Sequence, residues 1–481
     1  MIRPPLHAAI STLTAALLAA GCASFDGLAT KAVRTDAAEL SADKSLAEAN
    51  VSAAAWPAAN WWQRFGDPQL DALIAEALAG NPGVGAARAR IDRAVALAAI
   101  SGAALAPQAN AGVNVTRQRY SSNGIFPPPI AGSWHTQTDL AATFSYEFDL
   151  WGHNRAAYDA TLGQARAAEV DAYALHLLLA ASVARAYAQL GRSFEQLDLA
   201  QASLKQRQAI LDLTRQRVVA GLDSDVELKQ SEGSIPAARQ RIAQIEEEIA
   251  LGRNLIAALL GTGPDRGLAI TRPHLQEQSI ALPSILPADL LGRRPDVVAQ
   301  RWRVESARRD IDAAKAQFYP NINLSALIGV QSISFAKLLT AGSEDPSFGP
   351  ALRLPLFDGG RLRGNLAAKD ADYDLAVEQY NQTLVDAMRE VVDQLASLRS
   401  VDTQRAELER GLAAARDAYT LASARYRAGV ASYLQVLAAE TPLLEQQNLR
   451  AGLRARELEL SINLIRALGG GFEDTRAAGA S

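Results

Sequence analysis

The chain has 481 residues, with 48 Lys+Arg against 52 Asp+Glu and a net charge of −4. That balance lacks the basic footprint of a nucleic-acid binder, and 49% hydrophobic with 21% charged residues excludes a chain too polar to bury a core. The single Cys excludes an intrachain disulfide and any cysteine-cluster metal site. No HExxH, GxSxG, P-loop or dinucleotide-binding glycine pattern stands in a usable context, so nothing points to an enzyme or a cofactor.

Arg3 gives a short positive start, and residues 8–20 are apolar and uncharged. That run is too short to span a bilayer and has the layout of an export signal. The only Cys follows in Leu18-Ala19-Ala20-Gly21-Cys22, which resembles a bacterial lipobox, with Ala19 where Leu is usual. Residues 1–21 are therefore expected to be a signal peptide and Cys22 a lipidated N-terminus. The covalent lipid is the only non-protein group expected. Ala23 is not Asp, so the inner-membrane retention signal of enteric bacteria is absent. Residues 22–60 are Ala-, Ser- and charge-rich and read as a tether.

From residue 61 the chain is one unit written twice. Arg217-Val218-Val219-Ala220-Gly221 recurs 208 residues later as Arg425-Tyr426-Arg427-Ala428-Gly429, and Leu259-Leu260-Gly261 as Ala467-Leu468-Gly469. Glu232 maps to Glu440 by the same shift. The first repeat, 61–261, opens with two alternating strands at about 108–120 and 136–151. In the second strand Leu140, Ala142, Phe144, Tyr146 and Phe148 share one face, and Asp139, Thr143, Ser145 and Glu147 the other. A helical hairpin follows over about 155–260. Val183, Leu190, Leu197, Leu204, Leu211 and Val218 recur every seven residues, and Leu228, Ile235, Ile242, Ile249 and Ile256 repeat the pattern on return. A helix from Arg155 to Val219 would be about 98 Å long, which suggests a rod or tube.

Residues 262–284 are a linker. The second repeat, 285–469, carries strands at about 320–333 and 347–357, with Leu352, Leu354 and Leu356 on one face, and a hairpin over about 361–468. Residues 470–481 are a tail. Each hairpin turn has a Gly (Gly221, Gly429) followed by a capping pattern, Ser224-x-x-Glu227 and Ser432-x-x-Gln435. Pro236 and Pro442 interrupt the returning helices. Strands of about ten residues, apolar on one face, mark a transmembrane β-barrel, with long polar loops at Ser121–His135 and Ser334–Ser347. Four strands cannot close a barrel, so several chains must share one.

Five stretches carry a resemblance: Trp61-Trp62-x-x-Phe65-x-Asp67-Pro68-x-Leu70, Phe148-Asp149-Leu150-Trp151-Gly152, Gly292-Arg293-Arg294-Pro295-Asp296-Val297, Phe318-Tyr319-Pro320-x-Ile322 and Pro355-Leu356-Phe357-Asp358-Gly359-Gly360-Arg361. In this order, inside the duplication, they resemble the TolC-like outer-membrane factors, in particular the lipoprotein branch of NodT/OprM type. The resemblance implies a mainly α chain with a small β part. It implies a homotrimer with a shared twelve-stranded barrel in the outer-membrane lipid and a twelve-helix periplasmic tunnel. The implied function is the passive exit duct of a tripartite efflux pump. The implied partners are a periplasmic adaptor (membrane fusion protein) and an inner-membrane RND transporter, with no nucleic acid. A duct for type I protein secretion has the same shape. A structural coiled-coil lipoprotein would lack the paired strands.

The resemblance also implies a periplasmic gate. Asp223, Asp225 and Glu227 tripled around an axis would form a negative constriction, although acids in a first helical turn also complement the helix dipole. Tyr426 matches a gate tyrosine of the family, and is also placed as a core heptad residue. Gln435 and Ala438 stand where some members carry aspartates, and Ala431 where some carry an arginine. Gly221, Leu222, Gly429 and Val430 form small apolar tips suited to docking an adaptor. Trp56, Trp61, Trp62 and Trp302 read as core or belt anchors, and Trp134 as a loop residue. His153 and His176 have no metal-ligand spacing.

Overall fold

A computed structural model describes residues 25–36, 56–276 and 290–474, with the single positions 40 and 44. The expected export signal, Cys22, part of the tether, most of the linker and most of the tail lie outside the described residues. Seven helices of more than ten residues are described: α1 (Pro68–Gly80), α2 (Pro82–Ala103), α3 (His153–Val219), α4 (Asp225–Leu260), α5 (Pro295–Ala316), α6 (Arg361–Arg427) and α7 (Tyr433–Ala467). Four strands accompany them: β1 (Gln108–Arg119), β2 (Trp134–Phe148), β3 (Asn321–Ser332) and β4 (Ser347–Arg353). The two halves match in their strand pairs and helical hairpins, as the duplication requires. Each has a strand pair, then a helix of 67 residues, then a returning helix of 36 or 35.

The chain divides into two compact units. The first comprises Met1–Arg34, Ile91–Ala167 and Gln300–Tyr380 and holds the sheet. Strand order is β1-β2-β3-β4, antiparallel throughout, so the two repeats join through β2 and β3 and leave β1 and β4 as edges. The register decides which face is which. Val113 pairs with Leu140, Leu140 with Val330, Ala142 with Ile328, and Ile322 with Leu352. Directly opposed residues share a face, so every strand contributes its apolar set to the same side. The other side carries Asn110, Asn114, Thr143, Ser145, Glu147, Asn323 and Ser325, again in matched rows. The apolar side is not covered: Val113, Ile328, Phe348 and Leu352 are exposed.

Three expectations need correction here. β4 ends at Arg353 instead of reaching 357, so Leu354 and Leu356 lie beyond the strand; Pro355 has no N–H to continue a ladder. Trp134 is the first residue of β2, paired with Arg119, and not a loop residue. The loops after β1 and β3 are not uniformly polar, since Ile125, Phe335 and Leu339 are exposed on them.

Beneath the sheet residues in sequence, Ile311, Ala314 and Phe318 pack with Leu362 and Leu366 at the start of α6. A segment from the chain's start lies on this cluster. Phe25 meets Phe318 edge-on at 5.1 Å between ring centroids. Arg363 donates to the Asp26 carbonyl (2.7 Å). The backbone N–H groups of Lys31 and Ala32 both donate to Asp374 (2.9 Å each). His153 bonds the Ala313 carbonyl at 2.9 Å, a satisfied packing role.

The second unit comprises Thr35–Arg90, Ala168–Ala299 and Asn381–Ser481. Its core joins Leu70, Leu73 and Ile74 of α1 to Leu179, Val183, Tyr187 and Leu190 of α3, to Ile249 and Ile256 of α4, and to Ile462 and Ile465 of α7. Trp61 and Phe65 close it, so Trp61 is a core anchor. The Arg293 guanidinium lies over Trp56 at 4.8 Å. Asp67 ties the unit together. It caps α1 by accepting from the Gln69 N–H (3.0 Å) and also accepts from Tyr187 (2.8 Å) and the His274 N–H (2.8 Å). One 18-residue window of α3 is apolar enough to cross a membrane by length and composition, and 44% of it is buried in protein.

Candidate functional site at the hairpin tips

Both hairpins turn by the same device. Gly221 and Gly429 have φ of +72° and +80°, a conformation that disfavours any Cβ. Leu222 N–H donates to the Arg217 carbonyl (2.9 Å), and Val430 N–H, 208 positions on, to the Arg425 carbonyl (3.0 Å). These six-to-one bonds satisfy carbonyls that the helix ends leave open. The turns present Val219, Leu222, Val226, Val430 and Leu434, all exposed, together with exposed Gly221 and Gly429.

The acids behind the first turn do three different things. The Asp223 side chain is 6% accessible, against that of Arg217 at 8%. Arg217 grips it with a two-point fork: Nε to Oδ2 at 2.8 Å and Nη2 to Oδ1 at 3.0 Å. Tyr426, fully buried at the end of α6, donates its hydroxyl to the same Oδ2 (2.7 Å) and lies 2.8 Å from Thr214 Oγ1. Arg217 also donates to the Tyr426 carbonyl (2.9 Å), and its guanidinium sits 4.5 Å from the centre of the Tyr426 ring. Four side chains from two hairpins thus make one latch, backed by Ile210, Tyr433 and Val436.

The electrostatics follow from the geometry. The Arg217 bonds hold the Asp223 carboxyl below the usual range, with the Tyr426 hydroxyl adding to them against burial. Burial, with Asp223 beside it, pushes the Tyr426 phenol up to about 12, so it stays a neutral donor. Glu227 accepts from the Ser224 N–H (2.9 Å) and from its hydroxyl, and Ser224 accepts from the Val226 N–H (3.2 Å). The expected capping box is present, and Glu227 is held by it. Asp225 is exposed in the first turn of α4.

Of the three acids expected at a ring, Asp223 is thus paired with a buried arginine and Glu227 is held in the cap of its own helix, and Asp225 alone is exposed and outside both arrangements. In the second hairpin Gln435 is exposed, and the Ser432 side chain makes no capping bond; only the Gln435 N–H reaches the Ser432 carbonyl (3.2 Å). A neutral amide lacks the charge that draws Glu227 to its helix start.

Arg217 and Thr214, which complete the cluster, were not singled out in the sequence. The signal in the sequence was an Arg six positions before an Asp across a glycine turn, which no helical periodicity flags. The latch is not duplicated: 208 residues on from Arg217, Thr214 and Asp223 stand Arg425, Ala422 and Ala431, and Tyr426 corresponds to Val218.

Residues 73–262 and 286–470 match the family model described as "Outer membrane efflux protein". The chain belongs to the outer membrane efflux protein family. Among relatives of this efflux protein, the fusaric acid resistance protein FusA of Burkholderia cepacia is 41% identical over 76% of this chain and 69% of its own length. The multidrug resistance outer membrane protein MdtP of Escherichia coli is 32% identical over 88% of each. The crystal structure of the outer membrane protein VceC from Vibrio cholerae superposes with a TM-score of 0.82 at 38% identity, over 87% of this chain and all of that one. The efflux protein is thus an outer-membrane efflux duct, of a family of channels.

Proposed function

We propose that three copies form the duct, closing one twelve-stranded barrel in the outer membrane above a twelve-helix periplasmic tunnel. The observation that carries this is the register of the sheet. It sets a face that is apolar from Ala109 to Val115, Leu140 to Phe148 and Ile322 to Val330 against a mainly polar face, while leaving both edge strands open. An open, exposed edge next to an uncovered apolar face is unstable alone, and pairing β1 of one copy with β4 of the next removes it. Twelve strands give a lumen lined by the polar face and wide enough for small organic molecules to pass without a pump of its own.

The exposed apolar tips around Gly221, Leu222, Gly429 and Val430 fit docking by helical hairpins of a periplasmic adaptor, which couples the duct to an inner-membrane RND-type transporter. The latch Arg217–Asp223–Tyr426–Thr214 is the gate. It fastens the first hairpin to the second within a chain, so releasing it frees the tips to part. Native mass spectrometry of the detergent-purified protein, with planar-bilayer recording, tests the reading. The expected result is three copies and discrete channel currents; a monomer that conducts, or a trimer that never does, refutes it.

A further inference from the structure

Higher on the same helices lies a second buried cross-tie. Glu440 of α7 is buried and accepts from Arg207 Nε (3.1 Å) and Ser203 Oγ (3.2 Å), both on α3. Arg207 also donates through Nη1 to the Ser234 carbonyl of α4 (3.3 Å). One ion pair thus fastens three helices from two hairpins. Arg207 is ten residues above Arg217 on α3, about 15 Å along the helix.

The position of this tie coincides with the weakest point of both returning helices. Pro236 follows Ser234 by two residues in α4, and Pro442 follows Glu440 by two in α7. Pro236 has no N–H for the Glu232 carbonyl, and Pro442 none for the Ala438 carbonyl, so each helix lacks a backbone bond there. Sharp bends in helices concentrate at such residues. A joint without a backbone bond, beside a buried tie that resists sliding, has the elements of a pivot.

We propose that Arg207 and Glu440 are positioning residues of the gate, forming a fulcrum that stays fastened while the segments between it and the turns swing. The proposal rests on the latch being the gate. It gives Pro236 and Pro442 a task and confines opening to the last three turns or so of each helix.

Hydrogen–deuterium exchange on the intact membrane protein, read beside bilayer conductance, tests it. Asp223→Asn should raise conductance. It should also speed amide exchange from Thr214 to Leu222 and from Arg425 to Leu437 by about tenfold or more, the ratio expected for losing one charge-assisted hydrogen bond. Exchange from Glu195 to Leu204 and from Leu444 to Leu453 should stay unchanged. Adding Glu440→Ala should carry the fast exchange past both prolines, and adding Glu440→Gln, which keeps an acceptor, should restore the boundary. Unchanged conductance in Asp223→Asn would refute the gate reading itself. Raised conductance with fast exchange already extending past Pro236 and Pro442 would overturn the fulcrum and leave the gate standing.

Discussion

At the scale of single residues the latch has a definite pH signature. Asp223 has its pKa depressed in the folded state by Arg217, so the stabilisation it gives is present above the ordinary carboxylate value of about 3.9 and is lost as pH falls through the lower folded value. Channel conductance should therefore be flat from pH 7 down to about 5 and rise only in strong acid. Asp223→Asn should abolish that acid response and conduct at neutral pH; recordings stepped through pH on both proteins check this. Losing one hydrogen bond to a charged group costs about 1.5–3 kcal/mol, enough to shift a two-state latch. The sequence singled out Asp223 and Tyr426 near the turns but assigned the acid to a charged ring. Its true partner lies across a left-handed turn, where side-chain direction depends on the glycine's backbone and not on spacing. Glu227 was legible both ways, and the capping pattern was the decisive clue.

The helices and strands were the most legible scale, because period 7 and period 2 are read directly from apolar positions. The offset of 208 residues placed the equivalent turns, and the matching bonds from Leu222 and Val430 show the same backbone trick retained in both copies. Strand ends were less legible: the alternation of Leu352, Leu354 and Leu356 runs on past the point where Pro355 ends the ladder. The register was beyond sequence alone, since any even shift keeps the faces intact. With it in hand, the faces can be challenged separately. Ile328, exposed on the apolar face, should not tolerate arginine, which costs about 2–4 kcal/mol at a bilayer midplane. Thr143 on the other face should tolerate it. In seminative gels Ile328→Arg should lose the trimer band, whereas Thr143→Arg should keep it and shift ion selectivity. Equal damage by both would argue against a lipid-facing side.

For the whole molecule, the lipid expected on Cys22 would lie just ahead of the described chain. Phe25 is only three residues beyond Cys22 and packs on Phe318, itself three residues before β3 begins. Three residues span at most about 10 Å, so a lipid on Cys22 would be held within that reach of Phe25. Mass spectrometry of the mature N-terminal peptide should find residues 1–21 missing and Cys22 acylated. Cys22→Ala should still be extracted only by detergent, because the barrel holds it in the membrane as well. With Cys22 acylated, the segment clipped to Asp374 would act as a height gauge. Its short free length would tie the depth of the acyl chains to the level at which strands give way to helices. Lengthening the spacer before Phe25 would leave the lipid attached but uncouple those two heights, so that the depth of the duct in the leaflet would rest on the barrel alone.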